Sequence, residues 1–155
     1  MNWLFENKEI ESIEDLPIDT FGFIYEVEHI PTGKKYLGKK VLFFKRNVKL
    51  GKKEYQLLQE ERKSKGIGGR TPQKKEVIKE SDWKTYVGSN TEIKDLLKQG
   101  KGLEDFNRII LKCVSNKKML TYFENKFLFN RGVIEGESNY INDNIEGRYY
   151  RKDFL

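Results

Sequence analysis

The chain has 155 residues, 35% charged and 37% hydrophobic, with ten Phe, eight Tyr and two Trp, which suits one folded domain and argues against disorder. No apolar run approaches the roughly 18 residues of a membrane-spanning helix, and the acidic stretch from Met1 to Leu16 does not read as a secretory signal, so an intracellular protein with no membrane partner is expected. One cysteine and one histidine exclude an internal disulfide and argue against a zinc site, and the net charge of +6 is unevenly placed.

Phe21 to Glu28 is rich in aromatic and β-branched residues and predicts a strand. Pro31-Thr32-Gly33 supplies turn chemistry, and Lys35 to Phe44 predicts the second strand of a hairpin. From Arg46 to about Lys65 the pattern turns helical, with Gly66 as its stop, and Gly66 to Lys75 reads as a flexible basic loop. Between Lys39 and Lys79 stand fourteen Lys and Arg against four Glu, a net +10 in 41 residues that leaves −4 for the rest. A basic segment in a mildly acidic frame is the footprint expected of a polyanion partner such as nucleic acid, with a solvated lysine-rich loop as the alternative.

Ser89-Asn90-Thr91-Glu92 has the form of a capping box, so a helix from Ser89 to Gly100 is expected with Ser89 as its cap. Phe106 to Val114 predicts a third strand, and Lys117 to Asn130 a helix with Leu120, Phe123, Phe127 and Leu128 on one side. The tail from Ser138 is aromatic and polar without clear periodicity. The pattern describes a small α/β domain interrupted by a basic insertion at about 45–80.

Tyr25 and Tyr36 stand in the first hairpin, where tyrosines are common as core-edge residues. Glu124 falls within the apolar stripe of the last helix, which costs desolvation unless a metal, an Arg or hydroxyls receive it. A salt bridge to Arg46 or Lys39 is the structural alternative. Trp83 and Tyr86 are expected to pack the insertion against the sheet. Ser89, as a helix cap, also offers a phosphate-binding end. Cys113 reads as a small buried apolar residue and His29 as solvent-facing.

Phe23-Ile24-Tyr25, then after ten intervening residues Tyr36-Leu37-Gly38, then Arg46 and a helix-borne Glu124, resembles the GIY-YIG nuclease superfamily. The stretch Trp83-Lys84-Thr85-Tyr86-Val87-Gly88-Ser89 after a basic insertion is similar to phage-encoded, Seg-type homing-endonuclease-like members. Three departures stand out. The first motif's glycine is one place early, Leu37 replaces the middle Ile, and Leu50 stands where a His often follows the Arg.

The resemblance implies a single α/β (α+β) domain spanning 1–155. Its compact core would be a three-stranded antiparallel sheet flanked by helices, with the insertion after the second strand. It implies a divalent-metal-dependent DNA endonuclease using Mg²⁺ or Mn²⁺, acting in the cytoplasm of a phage-infected bacterial host, with a possible homodimer on DNA. Tyr25 would activate the attacking water, with Lys39 or Lys40 lowering its pKa, and Tyr36 would position water or phosphate. Arg46 would contact the scissile phosphate and Glu124 would ligate the metal. Asn142 would order the site, with Asn139 and Asn144 as rivals. Lys40, Lys49, Lys52, Lys53, Arg62, Lys63, Arg70 and Ser89 would bind DNA. A catalytically inactive DNA-binding module, a branched-DNA or restriction-type nuclease of the same fold, and an accessory factor that binds an acidic partner are the alternatives.

Overall fold

A computed structural model describes residues 2–155. The elements run β1 (Trp3–Phe5), β2 (Lys8–Ile10), β3 (Gly22–His29), β4 (Lys34–Val41), β5 (Phe43–Lys49), α1 (Lys52–Ser64), β6 (Lys74–Glu80), α2 (Thr91–Gln99), β7 (Phe106–Val114), α3 (Lys117–Asn130), β8 (Asn144–Ile145) and β9 (Tyr149–Tyr150). They form two compact units, Met1–Leu42 with Asp82–Leu155, and Phe43–Ser81.

The first unit is built on a five-stranded sheet ordered β2-β1-β7-β3-β4. The three expected strands are there, as the antiparallel run β7-β3-β4. Two short N-terminal strands lengthen the sheet from three to five, β1 pairing parallel with β7. β3 lies between two strands and is buried almost throughout. Alternation sends Phe23, Tyr25 and Val27 to one face, packed with Trp3, Trp83, Ile93 and Phe106. It sends Ile24 to the other, packed with Leu37, Leu120, Leu128 and Ile145. α3 covers this second face, and Asn116 caps it by accepting the Met119 N–H at 2.9 Å.

Several expectations are corrected. The second strand stops at Val41 because Leu42 turns inward, fully buried, and Phe43–Phe44 opens a separate strand. Arg46 to Lys49 is therefore strand, and the helix begins only at Lys52. The basic loop after Gly66 is short, because Lys74–Glu80 pairs with β5 residue for residue. Asn90, not Ser89, caps α2, accepting the Glu92 and Ile93 N–H groups at 2.8 and 3.3 Å. Glu92 pairs with Lys34 instead of reaching back to the cap. His29 is buried, its ring 5.0 Å from Phe106 and its Nδ1 2.8 Å from Thr32 Oγ1. Cys113 is half-buried. No helix among the described residues is long and apolar enough to cross a membrane.

The second unit is an antiparallel ribbon, β5–β6, joined through α1, with every ribbon residue exposed. It coincides with the segment that carries the excess positive charge.

Candidate active site

The candidate residues of the hairpin follow from its register. Tyr25 sits directly across from Gly38 and Val27 across from Tyr36, so both phenols rise from the face that carries Trp3 and Trp83. Tyr25 is 1% exposed. Trp3, Tyr36 and Tyr86 surround its ring, with centroids 5.4, 6.3 and 5.8 Å away. The phenol lies over the Gly38 backbone: a Cβ there would come within 2.6 Å of the Tyr25 hydroxyl. That close approach explains why the Tyr36-Leu37-Gly38 motif ends in glycine.

Burial, followed by the neighbouring Tyr86 and Tyr36 phenols, pushes the Tyr25 pKa well above the ordinary tyrosine value. The expected lowering by Lys39 or Lys40 does not occur, because both ammonium groups are committed elsewhere. Lys40 pairs with Asp82 at 2.5 Å and lies 3.8 Å over the Tyr86 ring. Lys39 lies 3.3 Å from Glu124 and donates to Thr121 Oγ1 at 3.2 Å. Tyr25 therefore keeps its proton at neutral pH in the free protein.

Tyr36 meets Ser89, their hydroxyls 2.9 Å apart. Burial raises the Tyr36 phenol, and the Ser89 bond partly offsets this. Gly88 makes that meeting possible. Its φ of +133° is costly for a side chain, and a Cβ would stand 2.9 Å from the Tyr36 ring. Ser89 thus serves the tyrosine cluster in place of the helix cap.

Leu37, Lys39 and Glu124 belong to the opposite face, beside α3. Because β4 is the outer strand of the sheet, residues of both faces meet around its edge. The segment 139–142 runs along this edge. The Lys35 N–H donates to Asn139 O and the Ile141 N–H to Lys35 O, both at 2.8 Å. Asn142 is buried and clasps Leu37: its Nδ2 donates to Leu37 O at 2.8 Å, and its Oδ1 accepts the Leu37 N–H at 3.1 Å. Asn139 contributes its backbone here, whereas Asn144 accepts the Gly147 N–H with its side chain.

A cleft of about 300 Å³ opens at this edge, lined by Tyr36, Ser89, Glu124, Asn142, Asp143 and Glu146 among others. All of its lining residues belong to the first unit. Burial raises the Glu124 carboxyl pKa, and Lys39 opposes the rise. Of the two structural partners expected for Glu124, the ion pair is with Lys39. Tyr36, Glu124 and Asn142 are brought together, Tyr25 lies beneath Tyr36, and Lys39 stands beside Glu124. Arg46, Lys49, Lys52, Lys53, Arg62, Lys63 and Arg70 belong to the second unit.

Sequence reasoning missed Asp143, Glu146 and Arg108. The two acids stand in a segment without periodicity, and nothing local marks them as cleft residues. Arg108 is buried in β7 and donates to the carbonyls of Lys84 and Tyr86 at 2.8 and 3.1 Å, bracing the stretch that presents Tyr86 and Ser89. Burial lowers its pKa to about 10. Its spacing of two from Phe106 and from Ile110, both buried, was the available signal.

No curated protein and no solved structure matched the chain. Residues 3–150 match the family described as "Putative endonuclease segE, GIY-YIG domain". That match runs from β1 to β9 and so takes in the five-stranded sheet, the tyrosine cluster and the whole edge cleft. The chain belongs to the Seg-type GIY-YIG endonuclease family.

Proposed function

We propose that the chain is a divalent-metal-dependent endonuclease that hydrolyses phosphodiester bonds of DNA at the cleft on the outer edge of β4. The observation that carries this reading is the meeting of Tyr36, Glu124 and Asn142, far apart in sequence, around one polar cleft in a chain of the endonuclease family.

Three carboxylates, Glu124, Asp143 and Glu146, line the cleft, and the Glu124 carboxyl is held up in pKa chiefly by burial. No cluster of three or more His, Cys, Asp or Glu able to hold a metal occurs among the described residues. The donors therefore suit a hard ion such as Mg²⁺ or Mn²⁺ that keeps waters and takes oxygens from the substrate. Glu124 would hold it, and when bound it would stabilise negative charge developing on the phosphate.

The chain's own groups do the rest. Lys39 offers an ammonium beside Glu124 with which to meet a phosphate oxygen. Tyr36 lines the cleft and, with Ser89, orients the attacking water or the phosphate by hydrogen bonding. Tyr25 holds its proton on Oη, supports the Tyr36 ring and donates to the polar cluster in place of serving as a resting phenolate. Asn142 fixes β4 at Leu37, between Tyr36 and Lys39 in the chain.

The homing-type setting is inferred from the family. With one such site per chain, each turnover cuts one strand, and double-strand breaks require a second copy or a second visit. The test is incubation with supercoiled, linear and branched DNA in Mg²⁺, Mn²⁺ or EDTA. Nicked circles forming with either metal and none in EDTA are expected. Retarded but uncut DNA on every substrate would refute catalysis in favour of a binding module.

A further inference from the structure

The β5–β6 ribbon is exposed along its whole length on both faces. A lone two-stranded hairpin is only marginally stable in water, and this one carries Phe43, Phe44, Val48, Val77 and Ile78 at the surface. Its charge is sorted by face. Residues directly across an antiparallel pair share a face, so the register places Phe44 with Lys79, Arg46 with Val77, and Val48 with Lys75 on one side. That side has no acidic residue from either strand. The other side carries both ribbon acids, Glu76 and Glu80, and Glu76 is paired with Lys45 at 3.3 Å. Lys75 is tied at 2.5 Å to Glu54 of α1, while Arg46 and Lys79 have no ion pair among the described residues. Arg46 is the middle residue of β5.

We propose that this ribbon enters the major groove of duplex DNA with the face free of strand acids towards the bases, Arg46 reading a guanine and Lys79 flanking it, at the end of the face away from the Lys75–Glu54 pair. The proposal rests on DNA being the substrate. The major groove admits a two-stranded ribbon, and a guanidinium at its centre can bond guanine O6 and N7 together. Seven residues of strand span about 23 Å, enough for about six base pairs. Val48 and Val77 are placed for apolar contact with thymine methyl groups. Arg46 is thereby assigned to base reading in place of the scissile phosphate.

The test uses the full chain in EDTA, so that cleavage plays no part. A pool of randomised duplexes is selected for binding, and affinity is followed against salt by fluorescence anisotropy. Two double variants remove the same charge from opposite faces: Arg46→Ala with Lys79→Ala, and Lys45→Ala with Lys49→Ala. Wild type is expected to enrich a block of about six base pairs containing guanine. The Arg46/Lys79 variant should lose that block and about 10- to 100-fold of its affinity for the selected duplex. The Lys45/Lys49 variant should keep the block and at most flatten the log–log salt slope, by about 1.8 if both lysines meet phosphates. Arg46→Lys, which keeps the charge but not the planar fork, should hold the slope and weaken the guanine preference. Since all four side chains are exposed, circular dichroism of each variant should match wild type. Equal weakening from both faces, or a wild type that enriches no block, would overturn the proposal. Failure to cut with Mg²⁺ despite an enriched block would sink the nuclease reading alone.

Discussion

Glu124→Gln separates a metal-binding carboxylate from half of a structural ion pair. The pair with Lys39 spans 3.3 Å, with side-chain exposures of 38% for Lys39 and 19% for Glu124. A pair that meets solvent on one side contributes about 0–1 kcal/mol. Against it stands the burial that raises the Glu124 pKa and outweighs Lys39. Glutamine keeps the shape, removes the desolvated charge, and leaves Lys39 bonded to Thr121 and to water. The two effects oppose, so the net change in stability should lie within about 1 kcal/mol, or about 2–4 °C in melting temperature for a chain of this size. The pH dependence carries a sign. A carboxyl raised in the folded state adds stability below its ordinary value of 4.5, and that stability is lost as pH rises through the folded pKa. Wild type should thus gain on Glu124→Gln in acid and fall behind at neutral pH, in melts run with EDTA. Cleavage, by contrast, should fall by about 10²–10³-fold or more, the scale of a lost transition-state contact. Undiminished cleavage would refute the metal-ligand role. A drop of about 8 °C or more at neutral pH would show that Glu124 is structural.

Asn142→Ala leaves the Leu37 N–H and C=O without their side-chain partner. At about 1–3 kcal/mol per unsatisfied group, the two groups together cost about 2–6 kcal/mol and melting should fall by about 4–24 °C, and a change under about 2 °C would remove Asn142 as the clasp. Gly38→Ala places a methyl 2.6 Å from the Tyr25 hydroxyl; it should cost about 1–3 kcal/mol by overpacking and abolish most cleavage, and wild-type activity would show that the tyrosine placement is not critical. Tyr25 is raised well above 10, so its protonated form stabilises the fold until pH climbs through the folded value. Phenolate absorbance should therefore show several tyrosines titrating late in wild type, Tyr36 among them, with the latest of all missing in Tyr25→Phe, and an unchanged late phase in that variant would contradict its burial.

Hairpin, third strand and last helix were legible because each is set by local chemistry. Phe21–Glu28 is rich in aromatic and β-branched residues, as a strand buried on both faces requires, and Phe106–Val114 and Lys117–Asn130 match the folded elements residue for residue. The motif tyrosines and Glu124 were legible as candidates because their order and spacing along the chain resemble the motifs of the GIY-YIG superfamily. What local reading could not supply is which neighbour each group receives. Arg46–Lys49 reads as helix in sequence yet is strand, because Lys74–Glu80, some thirty residues later, provides its hydrogen-bond partners. Ser89 reads as a cap, but Asn90 captures the helix while the Tyr36 hydroxyl captures Ser89. Burial among Trp3, Tyr36 and Tyr86 turned the Tyr25 pKa upward where nearby lysines suggested the reverse. Secondary structure follows backbone propensity and side-chain period over a few residues. A pKa, an ion pair or a strand's partner depends on distances between residues remote in sequence, and only the packed chain sets those distances.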